Sequence, residues 1–383
     1  MKILHLFSNI KLTGPAEPVL NLCSALKDRG HEILFACGKF YEEQISSIEQ
    51  RAMELGIDAI TYFHLRKHFN IADNLRDIPA LSQFIAQEKV ELVHVHLLND
   101  HIVGGHAAKN AQIPVIRTIH GLGRLWHRIR TSYLARSLAD GIITGSNWHD
   151  RKARQLFDTH PECIWLIPPA VDTERFNPNR ALPDKREELG ISESDFVVGI
   201  VARIQRHRRF KIFLKAVKTA LEKVPNLKAL IVGRGTNKDE LAVVPARELG
   251  IKDSVIFSGY QKGDDFVSIL NAMNVKVFLV PGTDETCRAI REAFALGKPV
   301  IGAKRGIIPE IIDDGVNGFI VKDNQENIAD AIIKLAQDKS LLEKFSSNAL
   351  TKAQENFNLK NYAERVEQLY WTVLKSTGGE NKS

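Results

Sequence analysis

Short apolar runs alternate with amphipathic segments along nearly the whole chain, and this alternation limits the fold more than any single motif does. KILHLFS, EILFAC, ELVHVH, PVIRTIH and GIITGS have the length and side chains of buried strands, with helical patterns between them. The first such helix, EPVLNLCSALKDRG, repeats Val19, Leu20, Leu22, Cys23 and Leu26 at helical spacing, with Pro18 in its first turn and Gly30 at its stop. Strands joined through helices run parallel, so the pattern predicts an open parallel sheet covered on both faces. The rhythm breaks at IPPAVDTERFNPNRALPD, residues 167–184, where prolines and turn residues cluster. It restarts with FVVGIVAR, IFLKAVKTALEKV, KALIVG, DELAVVPARELG, SVIFSG, FVSILNAM, VKVFLV, PVIGA and GFIV, and NYAERVEQLYWTVLKS closes the chain as one more amphipathic helix before a frayed tail. A chain of 383 residues exceeds what one core usually holds. The expectation is an α/β protein of two doubly wound sheets facing each other across a cleft, with ligands bound beyond the carboxyl ends of the strands.

With 44% hydrophobic and 26% charged residues and no long apolar run, the composition is that of a soluble globular protein. MKILHLFSNI reads as a first strand and not as a secretory signal, so a cytoplasmic location is expected. Cys23, Cys37, Cys163 and Cys287 lie far apart without a C-x-x-C pair, against both a zinc site and a disulfide framework. The net charge of +6 gathers in RLWHRIRTSYLAR, residues 124–136, and RIQRHRRFK, residues 203–211. Such clusters are either solvated faces or seats for an anionic partner.

The polar residues that stand out follow strands. Gly14 lies in KLTGPAE between the first strand and first helix, where helix N-terminal amides would point at a ligand, although a structural turn explains one glycine equally well. No G-x-G-x-x-G accompanies it. His94 and His96 alternate in ELVHVH and point to one side of their strand. A hydrogen-bonded structural role is the default for any lone histidine, but His120 ends PVIRTIH next to Gly121 and so gains from its position. Arg203 and Arg208 follow FVVGIV and would suit a diphosphate clamp or a merely solvated loop. In PGTDETCRAIREAFALGKPV, residues 281–300, Asp284 suits a helix N-cap and Glu285 a first-turn acid. Glu292 lies two turns on in an apolar stretch, within i, i+4 reach of Arg288.

The order of GPAEPVLNL, TIHG, AVDTERFNP, VARIQRHRR, IVGRG, VIFSGY, DETCRAIREAFALGKPVI and IPEIIDDGVNGFIV resembles the retaining GT-B glycosyltransferases of family 4, or group 1, over nearly the whole chain. The resemblance implies two Rossmann-like domains: an N-terminal acceptor-binding domain at 1–172, a linker at 173–185, a C-terminal nucleotide-sugar-binding domain at 186–357, and a C-terminal helix at 358–375 packing back on the first. It implies that Glu292 binds the donor ribose, that Asp284 or Glu285 holds the donor sugar in place of a usual glutamate, and that Arg203 and Arg208 bind the diphosphate. Arg208 stands where the family has lysine, and Arg209 where it has glycine. Gly14, Gly233, Thr286 and Cys287 fall with the donor-binding motifs, and His120 with the histidine that contacts the transferred sugar or acceptor.

The same resemblance implies transfer from a nucleotide sugar, UDP-linked by preference, to a saccharide or lipid-linked hydroxyl in bacterial envelope glycan synthesis such as lipopolysaccharide. It implies front-face retention, no cofactor, no metal and no nucleic-acid partner. Asp264 with Asp265, and Asp313 with Asp314, then read as turn and surface acids. Arg124, Arg128, Arg130 and Arg136 with Trp126, Ile129 and Leu134 would form either a basic amphipathic surface for an anionic membrane or a solvated helix. A nucleotide-sugar epimerase of the same architecture and a non-catalytic nucleotide-sugar binder are the alternatives.

Overall fold

In the computed structural model, which describes residues 1–39, 47–121, 125–157, 161–281 and 286–379, the apolar runs form two all-parallel sheets. The first contains β1 (Lys2–Phe7), β2 (Glu32–Cys37), β3 (Ala59–Ile60), β4 (Leu92–Val95), β5 (Val115–Ile119), β6 (Gly141–Thr144) and β7 (Ile164–Leu166), in the order β3-β2-β1-β4-β5-β6-β7. The second contains β8 (Phe196–Val201), β9 (Leu227–Val232), β10 (Val255–Gly259), β11 (Val275–Phe278), β12 (Val300–Ala303) and β13 (Gly318–Val321), in the order β10-β9-β8-β11-β12-β13. Both are doubly wound.

The chain divides into two compact units, 1–170 with 283–286 and 359–383, and 171–282 with 287–358. In the first, alternate side chains of one strand feed opposite cores. Ile3 and Leu92 join Leu22, Leu26, Val366 and Leu369 on one face, whereas Leu4 and Val93 join Leu81, Ile85 and Val103 on the other. The helix Leu359–Gly379 therefore completes the first unit, burying Tyr362, Val366, Leu369 and Tyr370 at helical spacing. The second unit has a core of its own, built from β8, β9 and β11 and the helices Phe210–Leu221 and Gln325–Gln337.

Two strands lie outside the runs read from the sequence, β3 and β7, both short and both at sheet edges. DELAVVPARELG is not one regular helix. Asp239–Val243 winds as a π-helical turn before Val244–Glu248, at a place where Pro245 has no N–H to contribute.

Candidate functional site

In the second unit the chain lays β9 and β10 to one side of β8, then returns to place β11 on the other. The loops leaving β8 and β11 consequently diverge at the carboxyl edge, which is where doubly wound sheets take their ligands. Arg208 joins the two loops: its Nη1 donates to the carbonyl oxygens of Val280 and Pro281, each at 3.0 Å. Two features far apart in the sequence thus meet at one place. Arg203 is exposed on the same β8 loop. Arg209 has left-handed backbone, φ 65° and ψ 26°, where the loop turns into helix Phe210–Leu221, a conformation that glycine adopts without strain. Its Nε lies 3.1 Å from Asp323. Gly233 follows β9 with φ 144°, and a Cβ there would collide with the carbonyl oxygen of Ala202. Backbone crowding alone requires that glycine.

The helix after β11 runs from Arg288 to Ala295, and its N-cap is Cys287, in left-handed conformation at φ 50° and ψ 35°. The expectation that Asp284 caps this helix is therefore corrected, because the chain enters the helix through the turn at Cys287. Asp284 and Glu285 themselves lie outside the described residues. Thr286 and Cys287 are buried. Glu292 is buried on the second turn, with the Nε of Arg288 3.0 Å from its carboxylate; a carboxylate taken out of water needs such a partner. Beneath the helix, Lys276 of β11 is fully buried and donates from Nζ to the Ala289 carbonyl at 2.7 Å. Burial pushes its pKa down to about 8, with Glu292 pulling it up and Arg288 pushing it further down. Arg291 is buried with its guanidinium 4.9 Å from the Phe357 ring centre. Neither Lys276 nor Arg291 was expected from the motifs; the signal for Lys276 was a charge inside the apolar run VKVFLV.

The first unit has its own strand-order reversal, between β1 and β4, and histidines gather there. His5 of β1 contacts His96 through ring nitrogens 3.1 Å apart, and the His94 and His96 rings lie 4.2 Å apart. His94 bonds the Tyr370 hydroxyl at 2.6 Å through Nδ1 and the Thr118 hydroxyl at 2.7 Å through Nε2. His120 follows β5, its ring 5.7 Å from that of His96. Burial keeps all four neutral, lowering His5 and His120 to about 3 and His94 and His96 well below the usual value, and Arg117 adds to the effect at His94, His96 and His120. The Nε2 of His120 is buried and has no hydrogen-bond partner among the described residues. His96, Thr118, His120 and Thr286 line a cavity of roughly 20 Å³, room for about one water. Gly14 lies in the exposed turn before helix Ala16–Asp28.

Among the described residues, His5, His94 and His96 form a group whose ring nitrogens, within 4.8 Å of one another, could approach a cation. Their mutual and neighbouring hydrogen bonds already use both nitrogens of His94 and one each of His5 and His96. Asp264 and Asp265 pair with Arg180 and Lys185 at 3.0 and 2.8 Å. Asp313 pairs with Lys352 at 2.7 Å, and Asp314 accepts from the Ile320 amide at 2.9 Å. On the helix Leu125–Leu138, Ile129, Tyr133 and Arg136 are exposed and Leu134 is buried; Arg124 and the side chains of Trp126, Arg128 and Arg130 lie outside the described residues.

Two family descriptions match this chain, "Glycosyltransferase Family 4" over residues 14–175 and "Glycosyl transferases group 1" over residues 183–352. The D-inositol 3-phosphate glycosyltransferase of Corynebacterium jeikeium is 28% identical over 311 residues, covering 73% of this chain and 72% of the relative. The UDP-Gal:alpha-D-GlcNAc-diphosphoundecaprenol alpha-1,3-galactosyltransferase of Escherichia coli is 25% identical over 321 residues, covering 80% and 81%. The crystal structure of Anabaena HepE in complex with UDP and glucose superposes with a TM-score of 0.79 at 20% identity, over 97% of this chain and all of that one, so the two share the GT-B fold.

Proposed function

The chain belongs to the family 4, group 1 glycosyltransferases, and from that premise we propose that it moves a sugar, with retention of anomeric configuration, from a UDP-sugar to a hydroxyl of a saccharide or lipid-linked acceptor. The observation that carries the donor side is the bond from Arg208 to Val280 and Pro281. It puts a guanidinium at the diverging loops of β8 and β11. A planar cation with five donors suits a diphosphate there. Arg203 shares the diphosphate, Glu292 accepts from the ribose hydroxyls, and Asp284 or Glu285 reaches the donor sugar.

In this reaction the bond from the anomeric carbon to the diphosphate oxygen breaks while the acceptor oxygen attacks the same face. The departing diphosphate oxygen takes the acceptor proton. Fixed positive charge then does the work of a metal in stabilising the leaving group. His120, neutral at physiological pH, offers its Nε2 to a sugar hydroxyl as a hydrogen-bonding group and not as an acid.

The acceptor chemistry is that of a cell-envelope glycan assembled on the cytoplasmic side. The galactosyltransferase relative is named for a diphosphoundecaprenol substrate, and the exposed Ile129, Tyr133 and Arg136 suit contact with an anionic membrane. No helix among the described residues is long and apolar enough to cross a membrane.

Calorimetric titration with UDP-, GDP- and ADP-sugars in a chelating buffer tests the reading. One UDP-sugar should bind, and Glu292→Ala and Arg208→Ala should each weaken it roughly ten- to hundredfold, the worth of a hydrogen bond to a charged group. Binding unchanged in both variants would remove the donor assignment.

A further inference from the structure

The helix Ile71–Gln87 is turned inside out at its start. Its inner face buries Asp73, Asn74 and Asp77, and its outer face shows Ile71, Ala72, Leu75, Pro79 and Ala80 to solvent. The inner polar groups are fully engaged: Asp77 accepts from the backbone amides of His64 and Leu65 at 3.0 and 2.8 Å, Asn74 and Asn99 bond side chain to side chain at 2.9 Å, and Asp73 pairs with Arg66. The outer apolar groups are largely open to solvent. Phe69 is 50% exposed, Ile71 and Leu75 67% each, and Tyr62 59%. Scattered exposed apolar residues are ordinary, but four gathered on one short segment mark a docking surface.

Charge selects the occupant. Lys67 and Arg76 are exposed on this stretch of chain, Arg66 is held in its ion pair with Asp73, and the only acids between residues 61 and 87, Asp73 and Asp77, are buried. A second copy docked about a two-fold axis would set these cations against their own images. An anionic bilayer meets both properties, taking the apolar side chains into its interface and the cations among its headgroups. The surface also continues. Arg76 borders a hollow of about 340 Å³ that Tyr62, Gln83 and Phe84 help to line. Helix Leu98–Asn110 packs between Ile71–Gln87 on one side and Leu125–Leu138, with its exposed Ile129 and Tyr133, on the other.

We propose that Phe69, Ile71 and Leu75, framed by Lys67 and Arg76, form the principal membrane-docking surface of the protein, inserting into anionic lipid. This deepens the membrane contact suggested for residues 124–136 but assigns it to a separate set of side chains. The test is co-sedimentation of the full-length protein, without donor or acceptor, with vesicles of phosphatidylcholine alone and with added phosphatidylglycerol. The wild type should sediment with the anionic vesicles only, and less at high salt. Ile71→Ser/Leu75→Ser should lower partitioning on the order of tenfold or more with unchanged thermal unfolding, because both side chains are on the outside. Lys67→Glu/Arg76→Glu should abolish the preference for anionic lipid. Loss of binding in Ile129→Ser/Tyr133→Ser with none in Ile71→Ser/Leu75→Ser would overturn this proposal and leave the 124–136 contact standing. A dimer in solution that dissociates in Ile71→Ser/Leu75→Ser, with no vesicle binding by the wild type, would assign the surface to a second copy instead.

Discussion

Replacing Lys276 by Met should change how the second unit's stability depends on pH. Lys276 is fully buried beneath the helix that carries Glu292, and its pKa drops from 10.5 to about 8. Each pKa unit corresponds to about 1.4 kcal/mol, so holding this lysine charged in the fold costs roughly 3 kcal/mol relative to the unfolded chain. The sign follows from proton counts. Between pH 8 and 10.5 the unfolded chain keeps the proton that the folded chain has released, so stability rises with pH across that window, by up to about 1.4 kcal/mol per unit. Below pH 8 the full penalty applies. Lys276→Met removes the titration and also the bond to the Ala289 carbonyl, worth about 1 kcal/mol. The variant should therefore be the more stable protein at pH 7 by about 2 kcal/mol and should lose that lead as pH rises toward 10. All four tryptophans, Trp126, Trp148, Trp165 and Trp371, belong to the first unit. Urea unfolding followed by tryptophan fluorescence thus serves as an internal control, and far-UV circular dichroism follows both units. Parallel stability curves for the two proteins from pH 7 to 10 would refute the reasoning.

Other perturbations test the loops and the histidines. Arg209→Gly relieves left-handed backbone worth about 1 kcal/mol and gives up a half-exposed pair with Asp323 worth at most about that much. It should be more stable than Arg209→Ala by about 1 kcal/mol, and equal denaturation midpoints would contradict the strain argument. Gly233→Ala drives a methyl group into the Ala202 carbonyl and should destabilise the second unit by 2 kcal/mol or more, roughly; an unchanged unfolding transition would count against it. Acid should weaken the first unit, since His5, His94, His96 and His120 are neutral in the fold and protonate when it opens. Their folded pKa values are depressed, so the loss begins as pH falls through 6.5 and continues toward 3; identical urea midpoints at pH 7 and pH 5 would rule out four buried neutral rings.

The paired sheets were legible because strand and helix periodicities differ and alternate cleanly from KILHLFS to GFIV. Edge strands were not. Ala59–Ile60 is too short to show an alternation, and Ile164–Leu166 adjoins the proline-rich break. Local backbone choices were also hidden, because Arg209 and Cys287 occupy left-handed positions with residues that do not advertise them. His94 and His96 could be placed on one side of their strand from alternation alone. Their partner His5 is about ninety residues distant from them and becomes visible only when β1 pairs with β4.

The helix Ile71–Gln87 shows the deeper limit. Periodicity reports that a helix has an apolar stripe, and convention then turns that stripe inward. Here the first turns carry two stripes, Asp73, Asn74 and Asp77 on one side and Ile71, Leu75 and Pro79 on the other. What decides between them is not hydrophobicity but the supply of partners. The preceding loop offers the backbone amides of His64 and Leu65, and the neighbouring helix offers Asn99, so the acids and the amide can be buried with their hydrogen bonds made. Once they are, the apolar stripe has only solvent to face. This arrangement forgoes the burial of Ile71 and Leu75, roughly 1.5–3 kcal/mol for each, which a surface outside the chain would restore. The docking experiment above therefore tests more than a surface: it asks whether the inversion of this helix is explained from within the fold or by what the fold touches.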